Sequence, residues 1–265
     1  MISLNNVSLL LPYRHDDETR LHNLLSVLEG YSQYFSDLEV IIVEDKKPES
    51  KDQLFDLSTI SSHYVSFDGE ELFNKSKCYN DAALLSTRPY ILCADTDIFV
   101  EPEAIMDALE GIDESKVAMP YNGVALYCKY RVRSTWVKHE HSLQVLRHII
   151  PSRLEVGYTD DNCMVGHLQS PGGAVIFEKE TFIKLGGYNP EFRGWGYEDD
   201  EILKRFVKQG CNPTRATNPR HMLWHFHHAN ATKETHSHYK KNLELAHKTA
   251  NPEPGYFEKI CPPLT

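Results

Sequence analysis

Over the N-terminal third of the chain, short runs of consecutive apolar residues alternate with stretches in which apolar residues recur every three or four positions. Residues 7–12 form a compact apolar run that reads as a buried strand. Leu21, Leu24, Leu25 and Leu28 follow at helical spacing behind the acidic start Asp16-Asp17-Glu18, which suits a helix N-terminus. Residues 38–43 are a second buried strand ending at Glu44-Asp45, and residues 64–67 are a shorter third one. Residues 74–86 predict a helix with Ala82, Ala83, Leu84 and Leu85 packing inward. Residues 90–94 are a fourth strand, followed at once by Asp95-Thr96-Asp97, after which Ile98-Phe99-Val100 resumes the apolar run. The order β-α-β-β-α-β predicts an α/β fold, a mostly parallel sheet flanked by helices and joined by right-handed crossovers. In such sheets ligands bind beyond the carboxyl ends of the strands, where Asp45, Asp95 and Asp97 fall.

The pattern weakens over residues 122–171, which carry Tyr127, Tyr130, Arg131, Arg133, Trp136, His139 and His141; this segment reads as an inserted lid on the acceptor side. Beyond it, residues 174–177 read as a strand and 179–185 as a short helix. Ile202, Leu203, Phe206 and Val207 mark a second helix, opened by four acids and stopped by Gly210. The expected organisation is a nucleotide-sugar-binding half over 1–121, the lid, a catalytic and acceptor-binding half over 172–230, and a C-terminal helix and tail over 231–265.

Composition narrows the function. With 41% apolar and 25% charged residues the chain is an ordinary globule, and 265 residues suffice for a single large core. A formal charge of −10 argues against nucleic-acid binding, though not against an anionic nucleotide held through a metal. No apolar stretch approaches bilayer-spanning length, and the first residues lack a secretion-signal layout. Six scattered cysteines without a CxxC pair suit reduced thiols. The expectation is a cytoplasmic protein, at most peripheral on the inner face of a membrane.

Chemistry concentrates in three places. Asp95-x-Asp97 behind a buried strand suits a hard or borderline divalent cation, which can bridge the phosphates of a nucleotide. Seven of the fourteen histidines lie between positions 221 and 247. In a strand, 221, 223, 225 and 227 share one face, and Met222 would join His225 only across a bend. His227, His228, His236 and His238 read as a solvated patch. The third place is Gly194-Trp195-Gly196-Tyr197-Glu198-Asp199-Asp200-Glu201, where glycines free the backbone around an aromatic plate and carboxylates open a helix. Helix-dipole complementarity accounts for one or two of those acids, not for the glycine frame. Phosphate-cradling motifs of the GxGxxG and GxxxxGK[ST] types are absent. A nucleotide must then be held by the metal, by Asp45 on the base or ribose, and by basic groups such as Arg14 and Lys77.

Together these pieces resemble the GT-A glycosyltransferases, most closely the β-1,4-galactosyltransferase type and its bacterial chondroitin-polymerase relatives. The resemblance rests on Leu11-Pro12-Tyr13-Arg14, Val43-Glu44-Asp45, the stretch from Asn74 to Asn80, Asp95-Thr96-Asp97, Gly172-Gly173-Ala174, Gly186-Gly187-Tyr188, the acidic motif and Met222-Leu223-Trp224-His225. It implies a Rossmann-like GT-A sheet and inverting transfer of a hexose or N-acetylhexosamine, galactose or N-acetylgalactosamine favoured, from a UDP-sugar to an oligosaccharide or lipid-linked glycan. It implies Mn²⁺ or Mg²⁺ on Asp97, His225 and Met222, with Asp95 close to the metal or the ribose. Pro12, Arg14, Asp45 and Gly173 fall to the nucleotide and donor, Lys77 to the pyrophosphate and Trp195 to the sugar face. Glu198 would bond sugar hydroxyls and Asp199 would be the general base. The chain departs from the galactosyltransferase motif at Arg193 and Tyr197, both beside the sugar and acceptor pocket. A sugar-nucleotide pyrophosphorylase and a non-catalytic carbohydrate-binding protein are the competing readings.

Overall fold

The computed structural model describes residues 1–46, 61–228 and 238–265. The first half contains β1 (Ile2–Ser3), β2 (Val7–Tyr13), α1 (Glu18–Tyr34), β3 (Phe35–Ser36), β4 (Glu39–Lys46), β5 (His63–Asp68), α2 (Lys75–Leu85), β6 (Tyr90–Ala94), β7 (Ile98–Val100), α3 (Pro102–Leu109) and α4 (Ile112–Ser115). There follow β8 (Val117–Met119), β9 (Ala125–Cys128), α5 (Tyr130–Lys138), α6 (Leu143–His148), β10 (Cys163–His167), β11 (Ala174–Glu178) and α7 (Lys179–Lys184). The chain closes with α8 (Glu198–Lys208), β12 (Thr214–Arg215), β13 (Leu223–His225), α9 (Tyr239–Ala250) and α10 (Tyr256–Ile260).

A seven-stranded sheet runs β12-β8-β11-β6-β2-β4-β5. Its β6, β2, β4 and β5 are parallel, as the alternating pattern predicts, and β11 lies antiparallel on β6. Every residue of β2 is buried, which is why it reads as an apolar run interrupted by Ser8 alone, whose hydroxyl donates to Glu39. Helix α1 is capped by Asp17, whose side chain accepts from the Arg20 amide at 3.0 Å, and it buries Leu21, Leu24, Val27, Leu28 and Tyr31. Burial of each such side chain contributes about 1.5–3 kcal/mol. Helix α2 is capped in the same way by Asn74.

The apolar run after Asp97 does not rejoin the main sheet. A tight turn, closed by the Ile98 amide donating to the Asp95 carbonyl at 3.1 Å, sends β7 into a second sheet of order β10-β9-β13-β7. That sheet also takes in the segment expected as a lid. Residues 122–171 supply two of its strands, and from α5 they drive Trp136 fully into the core. The Trp136 ring stacks on Phe226 at 5.2 Å and tilts against Phe99 at 4.7 Å. Gly30 of α1 makes room for it, since a Cβ there would stand 2.3 Å from the indole. At the C-terminal end, Thr249 of α9 donates to Glu201 at 3.0 Å, and Glu201 is paired at 2.9 Å with Arg205, all without solvent exposure. Among the described residues no helix is long and apolar enough to cross a membrane.

Candidate active site

The strand ends of the main sheet gather the first group. Asp45, at the end of β4, is fully buried; its Oδ2 accepts from the Asn74 amide at 2.7 Å and lies 3.7 Å from Arg14. Arg14, just past β2, donates to the carbonyls of Glu70 at 2.7 Å and Glu71 at 3.0 Å. Oδ1 of Asp45 and Nη1 of Arg14 have no hydrogen-bond partner, so a buried polar pair is left with capacity for a ligand. Burial pushes the Asp45 carboxyl up, against the pull of the Asn74 amide and Arg14. Pro12 is buried within β2.

The turn after β6 separates its two aspartates. Asp95 accepts from the Tyr79 hydroxyl at 3.0 Å, and its amide donates to the Gly173 carbonyl at 3.0 Å. Gly173 holds φ +93°, where a Cβ would stand 2.9 Å from Leu223. Asp97 faces the other way, toward β13. The antiparallel register pairs His225 with Ile98, which brings the His225 Nε2 to 3.3 Å from Asp97 Oδ1. His228 follows, its Nε2 3.1 Å from Asp97 Oδ2 and 3.1 Å from the His225 Nε2. One oxygen and two imidazole nitrogens therefore converge, a mixed donor set that fits a borderline divalent cation. Arg20 reaches the same carboxylate at 3.3 Å. Burial acts to raise the Asp97 carboxyl, but His225, His228 and Arg20 together hold it well below the usual carboxylate range. Met222 is buried just before β13, outside the strand, where strand parity does not fix its direction relative to His225.

The third group sits at the start of α8. Gly194, Gly196 and the N-cap Tyr197 all have positive φ, at 66°, 112° and 72°. A left-handed tyrosine is strained, a cost that recurs at functional turns. This turn leaves Trp195 45% exposed and stacked on Tyr239 of α9 at 5.7 Å. Glu198 is buried and accepts from the Gly196 amide at 3.1 Å. Asp199 lies over Gly172 and accepts from the Tyr188 hydroxyl at 3.4 Å.

Lys75, in the first turn of α2, joins the groups. Its ammonium is 2.7 Å from Glu198, 3.3 Å from Asp199 and 3.3 Å from Asp95. Burial opposes its charge, yet Asp199, Asp95 and Glu198 keep the ammonium protonated well above its ordinary range. Burial, offset by Lys75 and reinforced by Glu198 and Asp95, raises the Asp199 carboxyl to about 7.

Of the residues singled out from sequence, Asp95, Glu198 and Asp199 meet around this one ammonium, and Asp97 and His225 meet at the second sheet. Lys77 turns away, paired with Asp81 at 2.5 Å and lying over the Phe67 ring. Sequence reasoning missed Lys75 and Tyr239, and it left His228 in a solvated patch. His236 lies outside the described residues.

The profile of glycosyl transferase family 2 matches residues 10–169, more than half of the chain. The chain belongs to glycosyl transferase family 2. Its fold is that of the GT-A glycosyltransferases. The profile described as the N-terminal domain of galactosyltransferase matches residues 157–229, the stretch with the acidic motif and His225. Over 69 residues the chain is 30% identical to beta-1,4-galactosyltransferase 1 of Mus musculus, covering 26% of this chain and 16% of that protein. Over 71 residues it is 32% identical to beta-1,4-galactosyltransferase 7 of Drosophila melanogaster, covering 27% of this chain and 20% of that one. The chain thus spans a fifth or less of the length of these curated relatives. Among solved structures, S. aureus TarS in complex with UDP-GlcNAc superposes with a TM-score of 0.56 at 11% identity, covering 97% of this chain and 70% of that one. Glucosyl-3-phosphoglycerate synthase from Mycobacterium tuberculosis, in complex with Mn²⁺, UDP and phosphoglyceric acid, superposes with a TM-score of 0.52 at 12% identity, covering 95% and 81%.

Proposed function

We propose that this glycosyltransferase moves a hexose or N-acetylhexosamine from a UDP-sugar to a glycan hydroxyl with inversion, using Asp199 as the general base and a divalent cation, Mn²⁺ or Mg²⁺. The observation that carries the reading is the Lys75 ammonium, which stands 3.3 Å from both Asp95 and Asp199 and so joins the DxD turn to the acidic helix tip. The nucleotide complexes of TarS and of the mycobacterial synthase support a UDP-sugar donor. Similarity to the two galactosyltransferases favours galactose or N-acetylgalactosamine.

Asp97, His225 and His228 would hold the cation. When bound, it supplies Lewis-acid stabilisation of the charge on a departing diphosphate. Arg14 and Asp45, with their unpartnered buried atoms, suit the base or ribose. Trp195 offers a flat apolar face for a sugar ring, backed by Tyr239. Glu198, fixed by Lys75 and the Gly196 amide, would accept from a sugar hydroxyl. Asp199, with a carboxyl raised to about 7, is matched to taking the acceptor proton near neutral pH. The acceptor, on this reading an oligosaccharide or lipid-linked glycan, would approach over Trp195. A pyrophosphorylase or a non-catalytic binder would not need a carboxylate base beside a sugar platform.

Incubation with Mn²⁺ and UDP-galactose, UDP-N-acetylgalactosamine, UDP-glucose or UDP-N-acetylglucosamine tests the reading. UDP release with at least one donor, abolished by EDTA and restored by Mn²⁺, is the expected result. Undiminished turnover in EDTA would remove the metal, and release of pyrophosphate instead of UDP would overturn the assignment.

A further inference from the structure

Three carboxylates from two elements, Asp95 behind β6 and Glu198 and Asp199 at the tip of α8, share a single ammonium from α2. Two negative charges remain uncompensated by it, and Glu198 and Asp95 both raise the proton affinity of Asp199. The Lys75 side chain is 13% exposed, which limits screening by water and makes its charge count for more than a surface lysine's would. Asp199 is the acid most affected. Facing it are Lys75, Glu198 and Asp95, together with the hydroxyls of Tyr188 and Tyr121 and the thiol of Cys93. Of these, Lys75 supplies the opposing positive charge, and the weak contact from Tyr188 at 3.4 Å is a poor substitute as an orienting bond.

We propose that Lys75 is a positioning residue for the transfer reaction: its ammonium fixes the Asp199 carboxylate against the donor-side Asp95 and keeps it in the proton-accepting form. This rests on the reading of Asp199 as the base. Sharing one cation between the DxD turn and the base also ties the donor side of the cleft to the acceptor side. Without the ammonium, three neighbouring acids would relieve their repulsion by holding a proton, and Asp199, whose carboxyl is already raised to about 7, would keep it.

The test is a set of pH–rate profiles of the full chain, with the donor that supports turnover, for wild type, Lys75→Met, Lys75→Gln and Lys75→Arg. Lys75→Gln keeps a polar group able to donate to Glu198 and serves if Lys75→Met fails to fold. In the uncharged variants kcat at pH 7 is expected to fall about 10²-fold. Donor KM should change far less than kcat, because Asp95 keeps its Tyr79 hydroxyl and Glu198 its Gly196 amide. The deficit should shrink as pH rises, the acid limb of kcat moving up by about two units. Lys75→Arg should restore the limb toward wild type, and Lys75→Met added to Asp199→Asn should cause no further loss. A uniform loss at every pH, an additive effect in the double variant, or a rise in donor KM with kcat preserved would overturn the proposal, the last by making Lys75 a donor-binding cation. An Asp199→Asn enzyme that transfers at the wild-type rate would instead overturn the base assignment itself, whatever the Lys75 variants do.

Discussion

The carboxylate of Asp199 fills the space that a side chain on Gly172 would take: a Cβ built there meets Oδ2 at 1.9 Å and Cγ at 2.2 Å. The glycine pair ahead of β11 is thus part of the seat of the acid. Gly172→Ala must push Asp199 out of the Lys75 contact, and misplacement of a reacting group by about 1 Å costs on the order of 10²-fold in rate. Transfer should fall by about that factor, with donor binding by calorimetry within about threefold and circular dichroism unchanged.

Asp199 also leaves a signature in stability. Its carboxyl is raised from 3.8 to about 7 in the fold, so between those values the folded state holds a proton that the unfolded chain has released. Stability therefore declines as pH rises through this window. Asp199→Asn removes the group and its share of the decline. Urea titrations from pH 4 to 8 should show the variant gaining on wild type as pH rises, and a constant difference across the window would count against the raised carboxyl.

Removal of one imidazole tests the cation site. His228→Ala should weaken Mn²⁺ binding by about 10–100-fold, measured by calorimetry and by the Mn²⁺ dependence of turnover. His227, one residue earlier and exposed, is the control, and His227→Ala should leave Mn²⁺ affinity unchanged.

Helix α9 is held to α8 by the Thr249 hydroxyl, which donates to Glu201, itself in a buried ion pair with Arg205 inside α8. Arg205 and Glu201 are fully buried, and Arg205 also donates to the Leu185 carbonyl at 2.6 Å. Arg205→Met leaves Glu201 charged and unpaired, which costs about 3–5 kcal/mol. Because α9 carries Tyr239 behind Trp195, acceptor KM should rise in the same variant if it folds, read from acceptor titrations beside the urea curve.

What could be read from sequence follows from where local pattern decides geometry. The parallel strands β2, β4 and β6 are buried on both faces, so their apolar runs announce them, and the acids that end β4 and follow β6 come along at the strand ends. The acidic start of α8 is legible for the same reason, with a helical period behind it. Tertiary choices were not. Trp136 lies in a segment rich in exposed aromatic and basic residues and is buried only because Gly30 opens a slot on a distant helix. His228 stands beyond the end of β13, where strand parity no longer says which way a side chain points. Lys75 was within reach: it precedes buried Cys78 by three residues and Tyr79 by four, so the phase of α2 turns it inward, while Lys77 is rotated about 200° away. A charged residue on the buried face of a helix, next to a DxD strand, is the signal that marks it.

The most direct test of the central claim measures binding and chemistry on one protein. Purified Asp199→Asn, with Mn²⁺ and its UDP-sugar donor, should bind UDP within about threefold of wild type while transfer falls by about 10²–10⁴-fold. Transfer at the wild-type rate with binding intact would contradict it.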